Sequence, residues 1–169
     1  MEGNKKKNKS RAILVFGAPG SGKTTFAQKF AEKYNLAYYD LKEICDEYDI
    51  TPALALNIVS LITRTRQSII IEGLLDTEKE RTEIRNVLRA AGYTPALVWI
   101  QTDFSTLRLR LKSKHHSVAK AKDIYDKAVA EMESPADFEK PIILSGKHTF
   151  ETQTRHTLAG LAELDETKW

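Results

Sequence analysis

Four residues near the start of the chain combine backbone freedom, a positive charge and a hydroxyl group. Gly17, Gly22, Lys23 and Thr24 follow the spacing G-x-x-x-x-G-K-[ST] within the stretch "GAPGSGKTT". Glycines allow successive backbone N–H groups to face one centre, and a helix that starts there adds the positive end of its dipole. This arrangement suits a triphosphate, with the lysine on the β- and γ-phosphates and the threonine hydroxyl on magnesium.

The surroundings of this stretch favour phosphate binding over the structural alternative, a glycine turn that only caps a helix. The apolar run Ala12–Phe16 precedes it, and a helical pattern of apolar residues follows it, as the phosphate-binding mechanism requires. We therefore predict a nucleotide-binding loop. Its residues are Gly17, Ala18, Pro19, Gly20, Ser21, Gly22, Lys23, Thr24 and Thr25.

The elements around the loop must hold it at the edge of a sheet. Short apolar runs alternate with helical patterns, which predicts an α/β fold whose parallel sheet carries helices on both faces. The stretch "TLRLRLKSK" alternates like a strand, but we favour a helix because an exposed basic strand would lack a partner. Strands are predicted at Ala12–Phe16, Leu36–Tyr39, Ser68–Glu72, Pro95–Gln101 and within Ile142–Glu151, and the later helices at Val118–Met132 and near Gln153–Leu164.

Charge is distributed unevenly along the 169 residues. Met1–Arg11 carries five lysines or arginines and one glutamate, so the remainder of this +3 chain sums to −1. We predict a disordered, solubilising basic tail at 1–10 and a single domain at 11–169; weak binding of the tail to nucleic-acid phosphates is the alternative. The lone Cys45, the lack of a long apolar run and the absence of a signal-peptide core favour a cytoplasmic protein without membrane contact.

Several stretches together resemble the small P-loop kinases related to nucleoside monophosphate kinases. They are "GAPGSGKTT", "IIIEGLLDTEKER", "AAGY" and "RLKSK", and within that group they are similar to zeta-toxin kinases and to the kinase domains of polynucleotide kinases. The resemblance covers most of 11–164 and implies a five-stranded parallel sheet in the strand order 2-3-1-4-5. It also implies a mobile lid at about 108–132 and transfer of the γ-phosphoryl group of ATP to a hydroxyl.

Two carboxylates end predicted strands, where ligands of parallel sheets bind. Asp40 follows the second strand and is our candidate general base, since the family places an aspartate there; its alternative role is to cap the next helix, and Asp46 is the second candidate. Glu72 ends the third strand and is expected near Thr24, where it would hold a magnesium-bound water or contact the substrate. A surface glutamate without a role is the alternative.

Basic residues supply the remaining candidates. Arg81 has the spacing of a substrate-binding arginine in polynucleotide kinases, but an exposed arginine paired with Glu78 or Glu83 is equally compatible. Arg110 and Lys114 resemble the family's R-x-x-x-R lid and would bind phosphates, with Arg110 assisting transfer. Adjacent side chains on a helix diverge by about 100°, which argues against a metal site at His115 and His116. Lys147 and His148 are expected beside the adenine.

The sequence therefore predicts a kinase that uses ATP and Mg²⁺. A small metabolite, nucleoside or nucleotide sugar is favoured as the acceptor, because the folded part lacks a net basic surface and because Leu74 and Leu75 follow Glu72 where polynucleotide kinases have threonine and asparagine. A polynucleotide 5′-hydroxyl kinase is the alternative, and so is a nucleotide-binding ATPase or switch without kinase activity. The oligomeric state is left open.

Overall fold

The computed structural model describes residues 10–115 and 117–166, without the side chain of His115. Almost all of the predicted basic tail, and His116, lie outside the described residues. Five parallel strands form one sheet in the order β2-β3-β1-β4-β5, which confirms the fold class and strand order. The strands are β1 (Arg11–Phe16), β2 (Ala37–Asp40), β3 (Ile69–Glu72), β4 (Thr94–Gln101) and β5 (Ile142–Ser145).

Seven α-helices are found in the described part of the chain. They are α1 (Lys23–Tyr34), α2 (Leu41–Tyr48), α3 (Pro52–Ile62), α4 (Glu78–Ala90), α5 (Phe104–His115), α6 (Val118–Glu131) and α7 (Phe150–Glu166). The ambiguous "TLRLRLKSK" stretch is helical, because α5 buries Leu107 and Leu111 on one side. The last helix starts at Phe150 rather than near Gln153, since its first turn already packs on the core beside Phe26.

The sheet is covered on both faces. Ile13 and Val15 of β1 point to the face that α1 and α7 cover, whereas Ala12, Leu14 and Phe16 point to the face of α2, α3 and α4. This alternation explains why β1 is apolar throughout, since a central parallel strand has no solvent-facing side. In the described residues, the helices all fall short of the length and apolar character that a bilayer crossing requires.

Candidate active site

The phosphate-binding loop joins the end of β1 to the start of α1. Gly22 precedes the helix with φ at +95°, a left-handed conformation that side chains other than glycine adopt with strain. Its carbonyl accepts the first helical hydrogen bond from the N–H of Phe26 at 2.9 Å. The carbonyl of Ser21 accepts from the Thr102 hydroxyl, which ties the loop to the end of β4. The loop is therefore held by neighbouring elements on the sheet's carboxyl edge.

Thr24 and Glu72 meet although they lie on different elements. The Thr24 hydroxyl at the start of α1 donates to Oε1 of Glu72 at 2.6 Å, because β1 and β3 are adjacent in the sheet. Glu72 is 1% exposed, and its other oxygen, Oε2, is buried without a hydrogen-bond partner. A buried acceptor of this kind is costly to leave unpaired, and it can be satisfied by the neighbouring Tyr38 hydroxyl, which is likewise buried without a partner, or by a cation.

Burial dominates the electrostatics of Glu72. Loss of solvent raises the pKa of this carboxyl to about 7, the hydrogen bond from Thr24 opposes the shift, and the neighbouring Asp40 reinforces it. Tyr38 shares this environment. Its pKa is also raised, first by burial and then by the charge of Glu72. A cation bound beside Glu72 would stabilise the ionised carboxylate.

Asp40 caps a helix and borders the site at the same time. Its Oδ1 accepts from the backbone N–H groups of Lys42 and Glu43, at 3.0 and 3.1 Å, and so starts α2. Gly73 packs against this cap with φ at +78°, and a Cβ there would lie 2.7 Å from Oδ1. Asp40 therefore has the capping role, and its role as a base stays a prediction. Asp46 lies on α2 and lines neither of the cavities described next.

Two cavities flank the phosphate-binding loop. The first, of about 700 Å³, lies between the loop, α5 and the turn after β5, and we name it the nucleotide cavity. The second, of about 420 Å³, lies between the loop, the ends of β2 and β3, and α6, and we name it the acceptor cavity. Both are bordered by Lys23 and Thr24, so a molecule in one would meet a molecule in the other at these two side chains.

The predicted loop residues are distributed between these cavities. Pro19, Lys23 and Thr24 border both, whereas Gly20, Gly22 and Thr25 line the nucleotide cavity and Gly17 lines the acceptor cavity. Ala18 and Ser21 line neither of the two. Ser21 is buried, and its backbone N–H donates to the carbonyl of Ala18 within the loop.

Two basic residues of α5, Arg110 and Lys114, line the nucleotide cavity. Arg110 donates to the carbonyls of Gly20 and Ser21 and, at 2.9 Å, to that of Gly146 after β5. It therefore joins α5 to the phosphate-binding loop. Lys114, one turn later on α5, lines the same cavity. Both residues lie where phosphates of a bound nucleotide would attract them.

The turn after β5 contributes one of its two predicted residues. His148 lines the nucleotide cavity. Lys147 instead forms an ion pair with Asp103 at the start of α5, where its ammonium holds the pKa of that carboxyl well below its usual range. This pair joins the β5–α7 turn to the base of the lid.

Arg81 requires a correction. It is 0% exposed and pairs with Glu139, not with Glu78 or Glu83, and its guanidinium lies 5.0 Å from the Phe16 ring centroid. Nε and Nη2 donate to the Glu139 carboxylate, and Nη1 donates to three backbone carbonyls; these belong to Leu75, Asp76 and Glu133. Its donors are thus occupied, so it supports the wall of the acceptor cavity instead of binding a substrate.

Glu139 makes this buried pairing possible. Burial works to raise its pKa, but hydrogen bonds from the Arg81 side chain and the Ala136 backbone N–H, with the positive charges of Arg81 and Arg85, leave the pKa below its usual range. The partners are 58 positions apart, so helical spacing gave no sign of the pair. Glu139 lies in the short segment "DFEKP", and no local spacing connects this segment to α4.

Sequence reasoning missed several residues of the acceptor cavity. Lys42 borders both cavities. Asp76, which precedes α4, lies at the rim of the acceptor cavity. The helix α6 contributes the exposed Lys127 and Glu131, and Met132 follows directly after it. Lys42 follows Asp40 by two positions and could have been found as a strand-end neighbour. The α6 residues belong to no sequence motif. They line the cavity only because of the way α6 packs in the folded chain.

Comparison with known proteins agrees with this architecture. The AAA domain family matches residues 13–138. An adenylate kinase from Thermococcus sibiricus is 29% identical over 100 residues, which cover 47% of this chain and 45% of that protein. The chain thus spans about half the length of the curated relatives it matches.

Solved structures extend the similarity over nearly the whole chain. A gluconokinase from Sinorhizobium meliloti 1021 superposes with a TM-score of 0.71 at 17% identity, covering 94% of this chain and 95% of the other. The Mycobacterium tuberculosis APS kinase CysC, in complex with AMPPNP and APS, gives 0.70 at 14% identity, with coverages of 91% and 98%. At these identities the likeness supports the P-loop kinase fold. With the family match extending from β1 to the segment after α6, the chain belongs to the AAA domain family.

Proposed function

We propose that the protein is a kinase that uses ATP and Mg²⁺ to phosphorylate a hydroxyl group of a small molecule, whether a metabolite, a nucleoside or a nucleotide sugar. One observation carries this proposal: two cavities meet at Lys23 and Thr24. Phosphoryl transfer needs a donor and an acceptor in line across the transferring group. A second cavity of about 420 Å³ on the far side of the loop favours a bound acceptor over a plain ATPase.

Different residues of the chain bind the phosphates, offset their charge and exclude water. Backbone N–H groups of the phosphate-binding loop and the Lys23 ammonium hold the β- and γ-phosphates. Arg110 and Lys114 border the same cavity and offset the negative charge that shifts towards the leaving oxygen. Ile124 of α6 borders both cavities, and its apolar side chain helps to exclude water from the reacting atoms.

Asp40 is the proposed general base. The acceptor oxygen attacks the γ-phosphorus, the bond from that phosphorus to the β–γ bridging oxygen breaks, and ADP leaves. Asp40 takes the proton of the acceptor hydroxyl during the attack. Its place at the end of β2, beside Glu72 on the acceptor cavity, supports this role.

The Thr24–Glu72 pair fits magnesium. Its donors are a hydroxyl and a carboxylate, and the unpartnered Oε2 of Glu72 supplies a buried oxygen. In the described residues no cluster of three or more His, Cys, Asp or Glu side chains could hold a metal. Mg²⁺ usually needs only one or two carboxylates besides phosphates and water, so these two residues would suffice. When bound, the ion neutralises charge on the β- and γ-phosphates.

The test is transfer of ³²P from [γ-³²P]ATP to pools of sugars, polyols, nucleosides, nucleotide sugars and 5′-hydroxyl oligonucleotides. We expect labelling of a small acceptor that depends on Mg²⁺ and is lost in Lys23→Ala. ATP hydrolysis that stays the same with every pool would contradict the kinase function. Labelling of oligonucleotide ends alone would instead favour the polynucleotide kinase.

A further inference from the structure

Acidic and basic side chains are mixed in the acceptor cavity. Four carboxylates line it, namely Asp40, Glu72, Asp76 and Glu131, together with three lysines, Lys23, Lys42 and Lys127. Among the described residues, no arginine lines this cavity. Lys23 belongs to the phosphate-binding loop and is committed to the triphosphate, and Glu72 is committed to magnesium, which leaves three carboxylates (Asp40, Asp76 and Glu131) and two lysines (Lys42 and Lys127). The surface left for an acceptor therefore carries more negative than positive charge.

The nucleotide cavity shows the opposite composition. Five cationic side chains line it (Lys23, Lys29, Lys42, Arg110 and Lys114), and among its described lining residues there is no carboxylate. Anionic ligands are held by this type of wall, and arginine is favoured because its planar guanidinium matches phosphate and carboxylate oxygens. The acceptor cavity has no arginine in its lining, although it lies next to the nucleotide cavity.

We propose that the acceptor is an uncharged or cationic molecule that bears several hydroxyl or amino groups, such as a polyol, a nucleoside or an amino sugar, and that it carries no phosphate or carboxylate. This inference rests on the proposed kinase function and narrows its substrate class. It excludes nucleotide sugars and nucleoside monophosphates.

Hydrogen-bonding capacity supports this choice. Ionised carboxylates only accept hydrogen bonds, so a wall with three of them beside the metal site selects ligands that donate, and hydroxyl and ammonium groups are donors. Asp40, Asp76 and Glu131 are the carboxylates of this wall that magnesium does not use. A second anion beside these carboxylates would lose its hydration and meet like charge, and both effects weaken its binding.

The apolar part of the lining fits the same class. Leu75, Ile124 and Met132 face the cavity between the polar groups. Sugars, nucleosides and cyclic polyols present C–H faces together with hydroxyl groups, so they match a mixed surface of this kind. Arg81 fixes the carbonyls of Leu75, Asp76 and Glu133 and thereby holds this wall in place.

The test compares matched pairs that differ by one phosphate. Adenosine with AMP, myo-inositol with its 1-phosphate, and glucosamine with its 6-phosphate are titrated calorimetrically into the full chain saturated with AMPPNP and Mg²⁺. We expect the unphosphorylated member of at least one pair to bind at least about tenfold more tightly than its partner. Tighter binding of the phosphorylated members, or no binding of any unphosphorylated one, would overturn the inference.

Charge variants locate the effect. Glu131→Lys should shift the preference towards the phosphorylated member by about tenfold, because it reverses one charge of the wall. Glu83→Lys makes the same change on α4, outside the lining, and should leave the preference unaltered. Equal ratios in both variants would overturn the electrostatic argument. ³²P transfer to phosphorylated acceptors alone would preserve the kinase function and reject this substrate class.

Discussion

The two cavities beside the phosphate-binding loop share three loop residues, yet they are lined by opposite sets of charges. The nucleotide cavity has five cationic side chains and no carboxylate among the described residues. The acceptor cavity has four carboxylates and three lysines. A short contiguous stretch with the lid helix α5 builds most of the first, whereas the second combines the ends of β2 and β3, the turn before α4, and α6. The contrast supports the proposal that one loop serves two chemically different ligands.

The largest expected effect comes from the residue that both cavities share. Lys23→Ala should reduce nucleotide binding or turnover by about 10³-fold, because the triphosphate loses its direct contact with the lysine ammonium. Calorimetric titration with ATP and a turnover assay measure this. Lys33→Ala on the same helix lies outside both linings and serves as the control. Unchanged ATP affinity and turnover in Lys23→Ala would contradict the phosphate-binding role of the loop.

A second variant tests the buried carboxylate of the acceptor side. The pKa of Glu72 is about 7 in the folded chain, above its value of about 4.3 when unfolded. Because the unfolded chain ionises first, this residue lowers the free energy of unfolding as pH rises through that window. Between pH 5 and 8, without metal, the free energy of unfolding of the wild type should fall by roughly 2 kcal/mol more than that of Glu72→Gln.

Urea denaturation at the two pH values gives these free energies. The exposed Glu47→Gln on α2 provides the matched control and should follow the wild type. Parallel pH profiles for the wild type and Glu72→Gln would show that burial does not raise this pKa.

The third prediction separates catalysis from capping at Asp40. Asp40→Asn should slow transfer by about 10²-fold, the scale of general-base assistance, while ATP affinity stays similar. Asparagine also caps helices, so stability should change little. Asp46→Asn is the control, measured by the same ³²P assay. If that variant loses transfer and Asp40→Asn retains it, the proposed base is misplaced.

The smallest effect is expected at the lid. Arg110→Ala should slow transfer by about tenfold and weaken ATP binding less, since its charge is most useful as the γ-phosphoryl group leaves. Arg108→Ala, on the same helix but outside both linings, tests whether general charge loss accounts for the change. Separate measurements of kcat and ATP affinity decide this. Equal losses in both would mean that Arg110 only binds the nucleotide.

Local patterns predicted where the glycine-rich loop lies in the fold. The spacing from Gly17 to Thr24 places the loop between β1 and α1. Another locally determined feature is the capping box of Thr77 and Glu80, which starts α4. These features depend on residues a few positions apart, so their geometry follows from backbone sterics and local hydrogen bonds. The strand order rested on the resemblance to a family, because adjacency of strands is a long-range property.

Arg81 shows where local reasoning failed. Its helical neighbours Glu78 and Glu83 suggested an exposed ion pair, whereas the fold buries the side chain against Phe16 and Glu139. A buried charge needs a partner and full hydrogen bonding. The chain supplies both from a distant segment, and helical periodicity carries no information about that segment.

The amino-acid sequence by itself determined the phosphate-binding loop, the alternation of strands and helices, and the candidate carboxylates at the strand ends. Only the tertiary structure decided which of those carboxylates share a cavity, that α6 adds Lys127 and Glu131 to it, and that Arg81 supports its wall. The physical reason is the distance along the sequence between the residues that interact. Turns, caps and helix starts depend on neighbours along the chain, whereas the charge balance of a cavity depends on side chains that folding brings together from separate elements.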